Sequence, residues 1–277
     1  MVSYFVNSQT VLENFNSTDY QKKLSICLET NGFSFAVVNE KDTLLAFADI
    51  ACNYPETLSQ VIETIKKVFS DIKIEYMLMD EIELIVPANK HIWIPEHLFD
   101  QTKLREYFGL TTALEVKETV FYSFSEKLQA YSLFAYSDTI ISAFKVTMPG
   151  IKVKSQHAKM LESQLLEKSR MKTNIEIYLR KDYFDVAVFD SKKLLISNSY
   201  RYSSVDDVAY YALLLLNQFR LNQDAVEIYL SGKADKNIYA CLERFFRKIT
   251  LYTGKKMEFA TNDMYYLHLY QYSMLFR

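Results

Sequence analysis

Residues 24–39 read LSICLETNGFSFAVVN, and residues 175–190 read IEIYLRKDYFDVAVFD. Laid side by side without a gap, Leu24, Ile26, Leu28, Phe33, Ala36 and Val37 fall on Ile175, Ile177, Leu179, Phe184, Ala187 and Val188. In each copy two apolar runs flank a short polar turn, the pattern of a hairpin. Each copy continues into a third apolar run, a helical pattern ending near Phe69 or Phe219, and a further strand. A repeat of about 150 residues is too long for a solenoid unit and has the size of a domain. The sequence therefore predicts an α/β fold of two related lobes with a cleft between them. Each lobe is built as β-β-β-α-β on a mixed sheet.

Outward from the hairpins, the first copy places strands at 24–29, 33–39 and 43–51, a helix opened by Pro55-Glu56-Thr57, and a strand at 74–79. Leu58, Val61, Ile62, Ile65 and Phe69 keep one face of that helix apolar. The second copy places strands at 174–180, 184–190 and 193–201, then a helix at 205–219 with Asp206 and Asp207 in its first turn. A strand at 225–230, a helix at 236–249 and a strand at 257–260 follow, and 265–275 reads equally as helix or strand.

Between the copies lies material without a counterpart in the second. It holds short strands at 83–86 and 92–94, a helix from Pro95-Glu96 and another ending at Gly109. Strands at 119–124 and 129–135, a helix capped by Ser137-Asp138, and a strand at 151–154 complete it. A polar helix over 155–170 bridges the lobes. The division expected is 1–154 for the first lobe, with an inserted α/β subdomain at about 80–154, and 155–277 for the second.

Composition narrows the function classes. The chain has 277 residues, 49% hydrophobic and 24% charged, as in an ordinary globular protein. Its net charge of −2 offers no electrostatic case for nucleic acid or an anionic membrane. Cys27, Cys52 and Cys241 are widely spaced and read as small core residues in a reducing compartment. No basic segment followed by an apolar one marks a signal peptide, and no apolar run approaches the roughly 20 residues that span a bilayer. A cytoplasmic protein is expected. Glycine is scarce, at 5 residues where about 19 would be usual. Loops that press backbone amides against phosphate need glycine. Aromatics reach 15%, with 21 tyrosines, most of which sheet packing explains.

The duplicated β-β-β-α-β layout resembles the superfamily of actin, sugar kinases and heat-shock ATPases, a duplicated ribonuclease-H-like fold. Residues 129–154, QAYSLFAYSDTIISAFKVTMPGIKVK, resemble the end of the first lobe in FtsA and in the pilus assembly protein PilM. The whole layout is similar to an uncharacterised bacterial family with an actin-like ATPase fold. The resemblance implies a nucleotide cleft whose Asp-x-Gly turns hold phosphates and metal, and a Gly-Gly turn on the adenosine side. Here the first turn is Glu29-Thr30-Asn31-Gly32, the second is Arg180-Lys181-Asp182-Tyr183, and the adenosine-side position reads Tyr229-Leu230-Ser231-Gly232-Lys233. Only part of one element survives.

Each candidate has a plainer explanation beside it. Ser231-Gly232-Lys233 precedes a helix and can hold an anion at its N-terminus, or it is an ordinary β–α turn. Arg180 and Lys181 can meet a phosphate or an acidic partner, or form a solvated hairpin tip. Glu29 and Asn31 suit a magnesium-bound water, while Asn31-Gly32 is also the favoured type I′ hairpin signal. The four histidines, His91, His97, His157 and His268, are scattered without ligand spacing. Glu176, Asp185 and Glu227 are the carboxylates available to a two-metal nuclease, without the basic face it needs. Ile85, Pro87, Ile92 and Trp93 form the best candidate for an exposed partner patch.

These readings lead to a non-catalytic binding or scaffolding module with an unknown protein partner, no cofactor and no metal. The alternative is a divergent ATP-binding protein, an ATPase or small-molecule kinase with ATP and magnesium in the cleft.

Overall fold

A computed structural model describes residues 4–11, 21–52, 57–166, 172–191, 193–254, 256–259 and 269–277. The expected helix opener Pro55-Glu56, the end of the bridging helix at 167–170, Ala260 and the stretch 261–268 lie outside the described residues.

The first sheet starts with β1 (Tyr4–Val11), β2 (Lys22–Glu29), β3 (Gly32–Asn39) and β4 (Thr43–Cys52); α1 (Leu58–Asp71) and β5 (Glu81–Val86) follow. The insertion holds β6 (His91–Pro95), α2 (Leu104–Gly109), β7 (Glu118–Ser125), β8 (Ala130–Ser137) and α3 (Asp138–Thr147). Next come β9 (Lys152–Ser155) and α4 (Gln156–Leu166). The second sheet and its helices are β10 (Asn174–Leu179), β11 (Tyr183–Asp190), β12 (Lys193–Arg201), α5 (Val205–Gln218), β13 (Glu227–Gly232), α6 (Lys236–Glu243) and β14 (Ile249–Leu251). The chain closes with β15 (Glu258–Phe259) and a 3-10 segment, Leu269–Phe276.

Strand order is β1-β4-β3-β2-β5-β9 in a seven-stranded sheet, with β15 beside β4, and β12-β11-β10-β13-β14 in a five-stranded one. Both are mixed: β2 and β10 each pair antiparallel with the next strand and parallel with the strand after the helix. A third sheet, β6-β8-β7, carries the insertion. The two repeat hairpins share one register. Ile26 faces Phe35 and Leu28 faces Phe33, as Ile177 faces Val186 and Leu179 faces Phe184.

That register sorts side chains by period two. Leu24, Ile26, Phe33 and Phe35 pack with Phe69 of α1 and Phe144 of α3. Ile175, Ile177, Phe184 and Val186 pack with Val208 and Ala212 of α5 and Leu242 of α6. The opposite faces of both sheets meet in a shared layer. Cys27, Phe47 and Ile85 from one sheet and Tyr178 and Phe189 from the other close on Met160, Leu161, Met274 and Phe276. Each such buried side chain is worth about 1.5–3 kcal/mol.

Several expectations change. The strand expected at 74–79 is a 3-10 turn, Tyr76–Leu78, and β5 takes its place in the sheet. Lys73 ends α1 at a φ of 61°, which throws Met77 to 77% exposure and Leu78 to 40%. Edge strand β1 was not expected; a register shift between Val6 and Ser8 hides its alternation. The helix expected at 236–249 stops at Glu243, and Ile249 starts β14. The strand at 257–260 joins β4 of the first sheet rather than the second. The Pro95-Glu96 helix is only a 3-10 turn, Glu96–Leu98. The bridging helix α4 is not a solvated strut: His157 and Met160 are fully buried, and Lys159 is paired inside with Glu83.

Candidate functional site

Both repeat hairpins open onto one cleft of about 210 Å³, with Glu29, Thr30 and Asn31 on one wall and Arg180, Lys181 and Lys233 on the other. So the structure brings together Glu29, Asn31, Arg180, Lys181 and Lys233. Three of them, Glu29, Lys233 and Arg180, are engaged by other side chains. The Lys233 ammonium forms an ion pair with the Glu29 carboxylate across the cleft. Arg180 forks onto Asp185, Nε to Oδ2 at 3.0 Å and Nη2 to Oδ1 at 2.7 Å, and reaches the Pro87 carbonyl at 3.4 Å. The Arg180 side chain is therefore not part of a solvated tip, while Lys181 and Asp182 are exposed.

The glycines are used elsewhere. The hairpin turn is Thr30-Asn31, neither at positive φ, so it is not the type I′ turn that Asn31-Gly32 suggests. Gly32 takes φ +130°, and a Cβ there would lie 1.9 Å from the Ile50 carbonyl. Gly232 takes φ +79°, and its Cβ would lie 2.2 Å from the Leu179 carbonyl. Both glycines serve close strand contacts. Ser231 is fully buried and accepts Arg277 Nη2 at 3.1 Å. The N-terminus of α6 is already capped, since the Asp235 carboxylate accepts from the Ile238 amide at 2.8 Å. That occupies the anion position suggested by Ser231-Gly232-Lys233.

The carboxylates are likewise committed. Glu176 is ion-paired with Arg277, Asp185 with Arg180, and Glu227 accepts from Thr250 Oγ1 at 3.1 Å. Among the described residues no group of three or more His, Cys, Asp or Glu side chains is placed to hold a metal ion. Burial and the neighbouring Glu29 push the Cys27 thiol up to about 12, which leaves no thiolate for nucleophilic work.

Behind the cleft lies a network that spacing did not reveal. His157 of α4 bonds Ser197 Oγ through Nδ1 and Ser199 Oγ through Nε2, both at 2.8 Å. Its Nε2 also lies 3.3 Å from Asp185 Oδ1. His91 of β6 stacks on it, ring centroids 3.4 Å apart and 18° from parallel, and its Nε2 meets the Ser197 carbonyl at 3.3 Å. Burial would raise the Asp185 carboxyl, but the Arg180 and His157 partners more than offset it and hold it well below the usual range. Burial first, and the His157 ring second, push His91 well below its ordinary value. Ser197, His157 and Asp185 have the residue types of a hydrolase triad, yet His157 and Asp185 have no exposed side-chain surface. The network joins the insertion, α4 and the second lobe, and its His91 and Ser197 line a cavity of about 390 Å³. Its members come from four elements, and no sequence signal linked them.

The expected partner patch is divided. Ile85 is fully buried in the shared layer between the sheets. Pro87 lines the cleft, while Ile92 and Trp93 lie along a separate cavity of about 390 Å³. No helix among the described residues is long and apolar enough to cross a membrane.

Comparisons agree on architecture. A family model described as "Protein of unknown function (DUF3822)" matches residues 13–249. A Bacteroides thetaiotaomicron protein with an actin-like ATPase fold and unknown function is 20% identical, covering 95% of this chain and 98% of its own, at a TM-score of 0.72. A PilM-PilN type IV pilus biogenesis complex is 9% identical, covering 92% and 95%, at a TM-score of 0.52. No curated protein matches. The fold is thus the actin-like one expected from the duplicated hairpins, with mixed sheets in both lobes.

Proposed function

We infer the following for a chain that belongs to the DUF3822 family: it is a non-catalytic module that binds a protein partner and uses the two-lobed fold as a rigid scaffold. The observation that carries this reading is the Glu29–Lys233 ion pair, which crosses the cleft where an actin-like ATPase grips phosphate. The capped α6 N-terminus and the two glycines spent on strand packing support it. The cleft's residues do not fit ATP and magnesium: the carboxylate nearest the first turn is paired to lysine, and Asp49 accepts from Asn7 and Tyr272. The PilM neighbour is a complex with a protein, PilN, which favours a partner over a substrate. A cytoplasmic location goes with this proposal.

Titration calorimetry with ATP and magnesium tests it. No binding at millimolar nucleotide is expected. Micromolar binding would replace this reading with the divergent ATPase or kinase.

A further inference from the structure

Strand β6 is an edge of the insertion sheet. Two bonds at its ends fix which peptide groups point outward. Ala135 N donates to Lys90 O at 3.1 Å, and Glu96 N donates to Gln129 O at 3.0 Å. Antiparallel pairs alternate, so residues 90, 92, 94 and 96 turn their peptide groups to β8. His91 and Trp93 turn theirs to the open side, and Pro95 closes that edge because it has no N–H. Beside the edge runs the cavity of about 390 Å³, walled by Ile92, Ile94, Tyr107 and Leu110. Leu110 is 86% exposed, and Trp93 Nε1 is buried without a hydrogen-bond partner. An unpaired buried donor costs about 1–3 kcal/mol.

We propose that the open edge of β6 takes up an extended apolar segment of a partner protein as an added strand. This rests on the partner-binding reading above and names its site. The occupant follows from the chemistry of the edge. Only another extended backbone offers a carbonyl and an amide at the two-residue repeat presented by His91 and Trp93. Alternate side chains of that segment then enter the apolar cavity. The far wall is Ser197 of β12, itself an edge strand. The site is separate from the cleft of Glu29 and Lys233.

Trp93 is the chain's single tryptophan, so its fluorescence reports the site directly. Short peptides selected from a displayed random library against the full chain serve as probes. Apolar extended sequences are expected, with a change in Trp93 emission and slowed hydrogen exchange at the His91 and Trp93 amides. Leu110→Glu, on the exposed surface, is expected to weaken them by about tenfold or more, roughly 1.4 kcal/mol. N-methylating alternate peptide amides in one phase abolishes binding, and in the other phase leaves it intact. Peptides that bind with Trp93 emission and those amides unchanged would overturn the edge site while the scaffold reading stands. Recovery of no binding peptide also overturns the edge site. Micromolar ATP binding overturns the scaffold reading itself.

Discussion

The ammonium of Lys233 and the carboxylate of Glu29 meet across the cleft although 204 positions separate them in the chain. Their side chains are 52% and 25% exposed, so the pair marks the closed cleft without holding it shut. Exposed pairs contribute about 0–1 kcal/mol. Lys233→Met is therefore expected to change urea-unfolding stability by less than about 1 kcal/mol. A much larger loss would mean that the cleft pair anchors the lobes.

Asp185 is a different matter. Its carboxylate is fully buried and takes the Arg180 fork, Ser199 Oγ at 2.6 Å and the edge of His157. Asp185→Asn leaves a partly buried guanidinium without its counter-charge. A loss of about 3–5 kcal/mol is expected in denaturant unfolding. Replacing Arg180 and Asp185 together by Met and Leu should recover much of it, because removing both charges leaves none unpaired.

Acid acts through the same network. His91, faced by His157, Asp185 and Arg180, stays neutral in the native state, its pKa lowered by burial first. The unfolded chain takes up that proton below about pH 6.5. Stability is therefore full above that value and falls as pH drops below it, by up to about 1.4 kcal/mol per unit. Asp185, lowered in the fold, adds a second decline only below about pH 4, its unfolded value. Urea unfolding at neutral and mildly acidic pH should show the first decline. His91→Phe should flatten it, and an unchanged slope in that variant would assign the effect elsewhere.

Gly232 and Gly150 separate strain from close approach. Both take positive φ, +79° and +86°, but only Gly232 has a backbone atom, the Leu179 carbonyl, within 4 Å of its would-be Cβ. Gly150→Ala should cost about 1–2 kcal/mol from conformation alone. Gly232→Ala should cost more, and equal losses in thermal unfolding would contradict the close strand contact.

What the sequence made legible was whatever repeats locally. Ile26 and Ile177, or Phe33 and Phe184, announce the same hairpin because two nearly continuous apolar runs around a polar turn are written into consecutive residues. The 74–79 stretch misled because it is a nearly continuous apolar run, as a buried strand would be, while Met77 and Leu78 lie exposed in a 3-10 turn. Helix α4 looked polar because composition does not say which way Gln156, His157 and Lys159 point. Each finds its partner inside the fold: Ala88 N for Gln156, Ser197 and Ser199 for His157, and Glu83 for Lys159. The Glu29–Lys233 pair was not legible either, since it joins turns of two different lobes. Nor were the stacked imidazoles, since their meeting depends on how the insertion docks on the second lobe.

The shared layer between the sheets limits how this molecule can signal. Separating the lobes would wet Phe47, Met160, Phe189 and Met274, all fully or almost fully buried. At about 1.5–3 kcal/mol each, roughly 6 kcal/mol or more opposes opening. The open form then makes up about one molecule in ten thousand or fewer. Under the proposed scaffold role, this molecule is regulated by abundance and by competition for its surface: it acts by being there, as a gauge block does, and not by moving.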